Sequence, residues 1–391
     1  MKKILFYTSG VGLGGVEKVI LEVLKEIDKT KFDIKLGLQY ENENIFENEI
    51  PKEVVYKYML PQKIINKSLY YRSKKKNIFY KLVYSFMLRY EKYIIKKSYL
   101  KFSKDREIVI DFKSGDFLKL INLNKDVKKI CWLHGEITKL NRYEERKNNL
   151  KKQLEKCDKV ICICNEMKDN VIKEIPEIQN KLEMIYNPFN IDKIKELSKD
   201  ILDLSEKEKE LLKQKYIIMV SRLELKMKDF FTLFNAYKEL GLKNKNLKLY
   251  LLGDGPDRKV IEEKIKELNS EDKILLLGMK KNPYPWIKNA ELLVHSSKHE
   301  GFGLVLVEGL ILEKMVISTN CPVGPKDILD NGKYGSLVDI GDYKTMADEI
   351  CELLNPNSEK RKKYLENIND AIKRFDNKII IKQIEKMLEE L

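Results

Sequence analysis

The sequence predicts an α/β protein made of two doubly wound domains that face each other across a cleft. The chain has 391 residues, more than one ordinary hydrophobic core accommodates, which suggests two domains of roughly 150 to 200 residues each. Strand-like apolar runs alternate with amphipathic helical stretches along the chain, as in α/β units built around parallel sheets. The alternation starts afresh near residue 215, and this second cycle indicates the second domain.

The first cycle opens with the strand-like run KILFYTS, a helical pattern over 16–27 and a second strand-like run, FDIKLGLQ. Later strand-like runs are EIVIDF, KKICWLHG, KVICIC and KLEMIYNPF, and a helical pattern over 142–155 lies among them. We assign these elements to an N-terminal domain of residues 1–190.

The second cycle opens with YIIMVSRL and continues through LKLYLLGDGP, KILLLG, AELLVHSS, MVISTN and GSLVD. Helical patterns over 230–240 and 261–268 separate the first three of these runs. We assign residues 215–375 to a C-terminal domain and residues 191–214 to a helical linker. Residues 376–391 form a final helix that could pack back on the N-terminal domain.

The composition describes a globular chain, with 43% hydrophobic and 35% charged residues. No apolar run approaches the roughly 20 residues that span a bilayer, and the short apolar start predicts no signal peptide, so we expect a cytoplasmic protein. The six cysteines lie in strand-like settings without zinc or thioredoxin spacing, and we predict that they are reduced core residues. We expect no metal site.

Residues 62–106 form a basic, aromatic insert. They hold 14 Lys and Arg against Glu91 and Asp105, so they contribute +12 to a net charge of +14, and they also contain ten aromatic residues. Basic and aromatic side chains together suit the headgroup layer of an anionic membrane, which would place the protein on the inner face of the plasma membrane. A half-buried helix with a solvated lysine face is the alternative. We expect no nucleic-acid partner.

A glycine-rich loop follows the first strand. The glycines of SGVGLGGVEK fit the dinucleotide pattern G-x-G-x-x-G, so an NAD-type oxidoreductase is one hypothesis. Glu41 comes late for a ribose contact, however, and nothing further along the chain indicates hydride chemistry. Gly14 and Gly15 would let a ligand approach the backbone and the helix N-terminus. Glu17 would either contact a ligand hydroxyl or favour the helix dipole.

Histidine and cationic side chains follow other predicted strands. His134 ends the run KKICWLH and faces the expected cleft, because ligands bind at the carboxyl ends of strands in open α/β sheets. Arg222 follows the strand YIIMV, and Lys228 lies six residues further on. A guanidinium fork and a point charge near a helix N-terminus suit a phosphate or diphosphate. Lys226 is a rival for the second role.

The stretch SSKHEGFGLVLVEGL carries two glutamates, Glu300 and Glu308. If a helix begins near Leu304, Glu300 precedes it and Glu308 lies on its second turn. An acid/base pair that hydrolyses glycosides needs both carboxyls at one bond, roughly 5 to 10 Å apart, which this arrangement does not obviously give. Carboxylates also hold sugar hydroxyls well. After the next strand, Pro325 should begin a short helix where Gly324 exposes backbone amides.

Together these clusters resemble the retaining glycosyltransferases of the GT-B fold, and within them family 4. The resemblance is strongest over 216–339, where SRL with a following lysine, LLGDGP, NPYPWIKNAELLVHSS and E-x7-E occur in the family's order. It implies two Rossmann-like domains across a cleft and transfer of a sugar from a nucleotide diphosphate, commonly UDP, with retained anomeric configuration. CPVGPKDIL and GKYG are similar to bacterial members that extend lipid-linked or cell-surface glycans.

The resemblance also implies roles for single residues. Glu308 would hold the ribose hydroxyls and Glu300 would lie at the donor sugar, while Arg222 and Lys228 would grip the diphosphate. The N-terminal positions that match the family are His134 for the donor sugar, and Gly14, Gly15 and Glu17 for the phosphate and acceptor loop. Further donor-binding positions are Gly253, Gly255, Gly301, Phe302, Gly303 and Leu304.

A reaction that follows from these roles needs neither a metal ion nor another cofactor. Fixed cations and helix amides would stabilise the departing phosphate, and an acceptor hydroxyl would attack from the same face and pass its proton to that phosphate. No general base is then required. The alternative is a non-catalytic protein that binds nucleotide sugars or attaches another transferase to the membrane.

Overall fold

The computed structural model describes residues 1–12, 14–41, 46–139, 143–241 and 246–391. The chain divides into two compact units: unit 1 is Met1–Phe189 with Asn377–Leu391, and unit 2 is Asn190–Asp376. Each unit contains one parallel sheet with helices between its strands. The prediction of an α/β protein with two doubly wound halves is therefore confirmed.

Unit 1 contains a seven-stranded sheet in the order β3-β2-β1-β4-β5-β6-β7 within the described residues. Its strands are β1 (Lys2–Thr8), β2 (Phe32–Tyr40), β3 (Val55–Leu60), β4 (Ile108–Asp111), β5 (Lys128–Leu133), β6 (Lys159–Cys162) and β7 (Leu182–Met184). All four residues of β4 are buried, as expected for a central parallel strand covered on both faces. The strand order reverses between β1 and β4, which is the position where open α/β sheets bind ligands.

The first six helices of unit 1 are α1 (Gly15–Glu26), α2 (Gln62–Ser73), α3 (Ile78–Phe102), α4 (Leu118–Ile121), α5 (Tyr143–Leu154) and α6 (Asn165–Glu174). Helix α1 buries Val19, Ile20, Val23 and Leu24, a spacing that places one apolar face against the sheet. The predicted start of α5 at residue 142 lies outside the described residues. Short 3₁₀ turns span Glu47–Glu49, Ile137–Lys139 and Pro176–Lys181.

Unit 2 repeats this topology with the order β10-β9-β8-β11-β12-β13. Its strands are β8 (Tyr216–Val220), β9 (Lys248–Leu252), β10 (Ile274–Gly278), β11 (Leu292–His295), β12 (Met315–Thr319) and β13 (Ser336–Val338). Its helices are α7 (Ile191–Leu197), α8 (Glu206–Leu212), α9 (Phe230–Gly241), α10 (Arg258–Glu267), α11 (Tyr284–Asn289), α12 (Leu304–Ile311), α13 (Pro325–Ile328), α14 (Tyr343–Leu354), α15 (Glu359–Glu366) and α16 (Ile368–Lys373), with a 3₁₀ turn at Asp330–Gly332.

Residues 191–214, which the sequence suggests as a linker, belong to unit 2 by their contacts. Helix α7 contacts α11 and α12. Helix α8 begins at a capping box, in which Ser205 and Glu208 satisfy each other's backbone N–H groups. Glu208 also pairs with Lys280 at 2.8 Å. These contacts join the segment to the rest of unit 2.

The last helix, α17 (Asn377–Glu389), belongs to unit 1. It packs on α1, and the side-chain amide of Asn377 donates to Glu22 at 2.9 Å. Lys2 Nζ donates to the backbone carbonyl of Leu388 at 3.0 Å, near the end of the helix. The cysteines form no disulfide, and Cys131, Cys157, Cys162, Cys164 and Cys321 are buried.

Helix α3 is largely exposed to solvent. The structure describes all of its 25 residues, and of these Tyr99 alone is buried. Several of its large apolar side chains are exposed, among them Phe79, Leu82 and Phe86. None of the helices in the described part of the chain combines the length and apolar character that a bilayer crossing requires.

Candidate functional site

The predicted site residues of unit 2 follow the carboxyl ends of neighbouring strands. Arg222 and Lys228 follow β8, Gly253 follows β9, and Glu300 follows β11. Because all strands of the sheet are parallel, these ends lie at one edge of it. Lys228 joins the two loops directly, since its backbone forms a bridge with that of Ser297.

Glu300 lies at the centre of a buried polar cluster. Its Oε1 accepts a hydrogen bond from Lys228 Nζ, lies 2.6 Å from His295 Nε2 and accepts from Ser297 Oγ at 2.5 Å. The side chains of Glu300 and Lys228 are 10% and 12% exposed. The structure thus brings together two predicted residues, Glu300 and Lys228, whereas Lys226 is exposed.

The cluster keeps Glu300 ionised. Burial by itself raises the pKa of a carboxyl, but the interactions with His295 and Lys228 outweigh it and hold the pKa of Glu300 well below its usual range. Burial, together with the charge of Lys228, lowers the pKa of His295, so its ring is neutral at pH 7. A carboxylate of this kind accepts hydrogen bonds but cannot act as a general acid near neutral pH.

Glu308 occupies a separate place on α12. This helix begins at Leu304, so the prediction of a helix start there is confirmed, and Glu308 falls on its second turn. Glu308 is 7% exposed, and its Oε1 accepts a hydrogen bond from Tyr284 Oη at 3.2 Å. The two glutamates therefore have different hydrogen-bond partners.

Arg222 is the most exposed cation of the site. Its side chain is 71% exposed, and it contacts Glu224 at 3.6 Å, a distance longer than a strong charged hydrogen bond. Because a solvent-exposed pair of this length contributes little free energy, its guanidinium group can turn to an anionic ligand at little cost.

Glycines allow the loops after β8 and β9 to pack backbone against backbone. Gly253 has φ +136°, and a Cβ there would lie 1.9 Å from the carbonyl oxygen of Ser221. A Cβ on Gly255 would lie 2.3 Å from the carbonyl oxygen of Leu223. In return, the backbone N–H of Leu223 donates to the carbonyl of Asp254 at 3.1 Å. The predicted glycines Gly253 and Gly255 thus set the path of the loop that carries Arg222.

The loops after β11 and β12 meet in the same way. Gly303 has φ +93° and caps α12. Gly324 has φ +107°, and a Cβ there would lie 1.8 Å from the carbonyl oxygen of Phe302. Pro325 begins α13, as predicted. The ring of Phe302 is buried and packs edge-on against Phe375 at 6.1 Å, while Gly301 and Leu304 are partly exposed.

In unit 1 the glycine loop precedes α1, with Gly14 as its N-cap and Gly15 as its first residue. Glu17, in the first turn, pairs with Lys113 Nζ at 2.7 Å. Lys113 lies two residues after β4, and Asp111 at the end of that strand accepts from the backbone N–H of Lys113 at 2.9 Å. Asp111 is fully buried, and burial raises its pKa to about 7. Sequence reasoning missed both residues: Asp111 lies within the predicted strand-like run EIVIDF, and Lys113 directly follows it.

His134 follows β5 and is buried against aromatic rings. The centroid of its ring lies 4.6 Å from that of Phe112. The ring is also stacked on Trp132, with the centroids 6.4 Å apart. Its backbone N–H donates to Ser114 Oγ at 2.9 Å, while its Nε2 has no hydrogen-bond partner among the described residues. Burial lowers the pKa of His134 to about 3, so it is neutral at pH 7.

Part of the chain matches a known protein family. Residues 200–371 match the model of the family described as glycosyl transferases group 1. An uncharacterized glycosyltransferase of Methanocaldococcus jannaschii is 28% identical over 69% of this chain and 74% of its own length. The N-acetylgalactosamine-N,N'-diacetylbacillosaminyl-diphospho-undecaprenol 4-alpha-N-acetylgalactosaminyltransferase of Campylobacter jejuni is 30% identical over 53% of each chain. The chain thus spans about half the length of that second relative.

Solved structures share the fold. The chain is similar to HepE of Anabaena in complex with UDP and glucose, with a TM-score of 0.77, 18% identity and complete coverage of both chains. It is similar also to TarM of Staphylococcus aureus, with a TM-score of 0.74, 14% identity and coverage of 100% of this chain and 98% of that one. Within the ranges that the structure describes, no group of His, Cys, Asp and Glu is arranged to hold a metal ion.

Proposed function

We propose that this chain, of which residues 200–371 match the glycosyl transferases of group 1, moves a sugar from a UDP-sugar to a hydroxyl of a lipid-linked or cell-surface glycan. The observation that carries the proposal is the cluster of Lys228, Glu300 and His295 at the carboxyl edge of the unit 2 sheet. It supplies a cation beside an ionised carboxylate, which suits a ligand that carries a diphosphate next to sugar hydroxyls.

The donor and acceptor are inferred from relatives. UDP is bound in the HepE structure, and the Campylobacter relative is named for transfer to a diphospho-undecaprenol-linked sugar. A Staphylococcus aureus relative is named poly(ribitol-phosphate) alpha-N-acetylglucosaminyltransferase. These names support a hexosyl or N-acetylhexosaminyl donor and a glycan acceptor for this chain.

In the reaction that we propose, Arg222 and Lys228 hold the diphosphate, Glu308 the ribose hydroxyls and Glu300 a hydroxyl of the donor sugar. The bond between the anomeric carbon and the diphosphate oxygen breaks, and its electron pair stays on that oxygen. The two cations stabilise this charge without a metal ion. The acceptor hydroxyl attacks the oxocarbenium-like carbon from the same face and passes its proton to the departing phosphate, so the configuration is retained.

For the residues of unit 1, the proposal keeps the roles that the family resemblance implies. We propose that His134 contacts the donor sugar, because its neutral ring offers a buried Nε2 that no described residue engages. Gly14 and Gly15 would leave the backbone open to the phosphate and acceptor. Glu17, which pairs with Lys113 Nζ at 2.7 Å, would accept a hydrogen bond from a ligand hydroxyl.

The experiment is release of UDP from a panel of UDP-sugars, with a chelator present, with and without a bacterial lipid extract. We expect release from one sugar and stimulation by the extract. Glu300→Ala should lose transfer but bind UDP nearly as well as the parent, whereas Glu271→Gln, an exposed carboxylate in the same unit, should match the parent. Binding of UDP-sugars without any turnover would instead indicate the non-catalytic protein, and full activity of Glu300→Ala would overturn the role of that residue.

We also propose that the enzyme works on the inner face of the plasma membrane, with α3 resting on anionic lipid. Four exposed side chains of α3, between 57% and 66% exposed, follow one another at helical spacing on one face: Phe79, Leu82, Phe86 and Tyr93. An exposed apolar stripe of this kind marks an interaction surface. The exposed lysines of 74–76 precede it directly, so apolar insertion and phosphate contact would act together.

Vesicle sedimentation tests this surface. We expect binding to vesicles of phosphatidylglycerol and phosphatidylcholine and weaker binding to phosphatidylcholine alone. Changing the lysines at 74, 75 and 76 to alanine should weaken binding by roughly 100-fold, since each contributes about 1 kcal/mol. Leu82→Ser with Phe86→Ser should weaken binding too, whereas Leu202→Ser, which removes an even more exposed leucine of unit 2, should not. Unchanged binding at low and high salt, tighter binding to RNA, or a dimer that buries the stripe would each refute the proposal.

A further inference from the structure

His295 is an unusual residue for its position. It ends the central strand β11, whose other residues, 292–294, are aliphatic and buried. Its side chain is 1% exposed, and an imidazole buried at such a point is unfavourable unless its nitrogen atoms form hydrogen bonds. Its Nε2 lies 2.6 Å from Glu300 Oε1, 3.1 Å from Ser297 Oγ and 3.3 Å from Lys228 Nζ. The ring therefore belongs to the candidate site.

The chemistry of its neighbours fixes the tautomer of this ring. An ionised carboxylate only accepts hydrogen bonds, so the contact of 2.6 Å with Glu300 requires a proton on His295 Nε2. Lys228 Nζ is likewise a donor, so it bonds to Glu300 and not to the protonated nitrogen. Nδ1 then carries the lone pair, and it has no hydrogen-bond partner in the described part of the chain.

All hydrogen bonds that described residues make to the Glu300 carboxylate go to one oxygen, Oε1. Lys228, His295 and Ser297 converge on that atom. With Oε1 anchored in this way the carboxylate cannot rotate, and the direction of Oε2 is set. Moreover, when a diphosphate draws Lys228 away, His295 and Ser297 still hold Oε1 in place.

We propose that His295 is a positioning residue, whose Nε2–H fixes the Glu300 carboxylate so that Oε2 is presented to a hydroxyl of the donor sugar while Lys228 is released to the diphosphate. The proposal rests on the proposed function, because it takes the ligand to be a UDP-sugar. It assigns His295 an effect on the sugar of the donor and none on its nucleotide. A residue needed only for folding would affect binding of the sugar and of the nucleotide alike, so this difference distinguishes a positioning role from a role in folding.

The test compares His295→Ala with His295→Gln, whose amide nitrogen can donate from near the position of Nε2. A lost hydrogen bond to a charged group corresponds to roughly a 10- to 100-fold effect, so we expect His295→Ala to lower kcat/KM by this factor. The affinity for the UDP-sugar should fall while that for UDP stays within about twofold, and His295→Gln should recover most of the loss. Ser296→Ala, which removes a buried hydrogen bond to the Asp229 carbonyl, is the matched control and should leave the ratio of the two affinities unchanged.

Equal losses of UDP and UDP-sugar affinity in His295→Ala, without recovery in His295→Gln, would overturn the positioning role. A second measurement does not depend on activity. The chain has three histidines, so imidazole ¹⁵N spectra are simple to assign. We expect His295 to show the Nε2–H tautomer without titration near its usual pKa, and this state to be lost in Glu300→Ala. An Nδ1–H tautomer in the parent would refute the inference, whereas a parent inactive with every UDP-sugar would refute the proposed function alone.

Discussion

Replacement of Lys228 by methionine should destabilise unit 2 by leaving the Glu300 carboxylate without its cation. Both side chains are nearly buried, at 12% and 10% exposure, and removing one partner of a buried ion pair costs about 3 to 5 kcal/mol. His295 and Ser297 still donate to Oε1, so we expect a loss near the lower limit, about 3 kcal/mol. Glu300→Gln in the same chain should restore most of it, because no unpaired charge then remains.

The two tryptophans make the assay specific. Trp132 lies in unit 1 and Trp286 in unit 2, so in a Trp132→Phe background fluorescence reports the denaturant unfolding of unit 2. Lys226→Met is the matched control, because Lys226 is exposed, and it should change the free energy of unfolding by less than about 0.5 kcal/mol.

The dependence on pH follows from the lowered pKa of Glu300. Its folded-state pKa lies below the unfolded value of about 4.3, so its contribution to stability is present above that pH and is lost as the pH falls towards the folded value. Without Lys228 the pKa of Glu300 should rise, and the difference between variant and parent should shrink below about pH 4. Equal stability of Lys228→Met and Lys226→Met at pH 7, or an undiminished loss in the Glu300→Gln background, would refute the reasoning.

Gly324→Ala should destabilise unit 2 by more than about 3 kcal/mol, since the new Cβ would overlap the Phe302 carbonyl at a backbone conformation that already disfavours alanine. The control Gly341→Ala, where φ is +86° and the space around the Cβ is open, should cost only about 1 kcal/mol. Equal losses of the free energy of unfolding in denaturant would contradict this prediction. Burial raises the pKa of Asp111 to about 7, so its contribution to unit 1 stability should fall as the pH rises from about 4 to 7, and Asp111→Asn should abolish that slope. Burial lowers the pKa of His134 to about 3, so acidification below about pH 6.5 should destabilise unit 1. In His134→Gln the free energy of unfolding should depend less on pH in this range. An unchanged pH dependence would exclude His134 as its source.

The elements of the fold were predictable because each is encoded by local spacing. Short apolar runs mark strands of four to seven residues, and the glycine before Leu304 and the proline at 325 mark where helices begin. The candidate site residues Arg222, Lys228 and Glu300 could be proposed from the sequence, because polar side chains directly after buried strands are unusual. His295 was missed because it lies inside the strand-like run AELLVHSS, where its spacing predicts a core residue.

By itself, the sequence determined the α/β alternation in two cycles, the order of the motifs and the family that they resemble. Only the tertiary structure decided which charges meet: that Lys228 and not Lys226 pairs with Glu300, that Glu17 pairs with Lys113, and that α3 turns an apolar stripe outward. Periodicity reports the local conformation of the backbone, which depends on near neighbours. The partner of a buried charge depends on loops far apart in the chain that meet at one edge of a sheet, and their paths are fixed only when the sheet has formed.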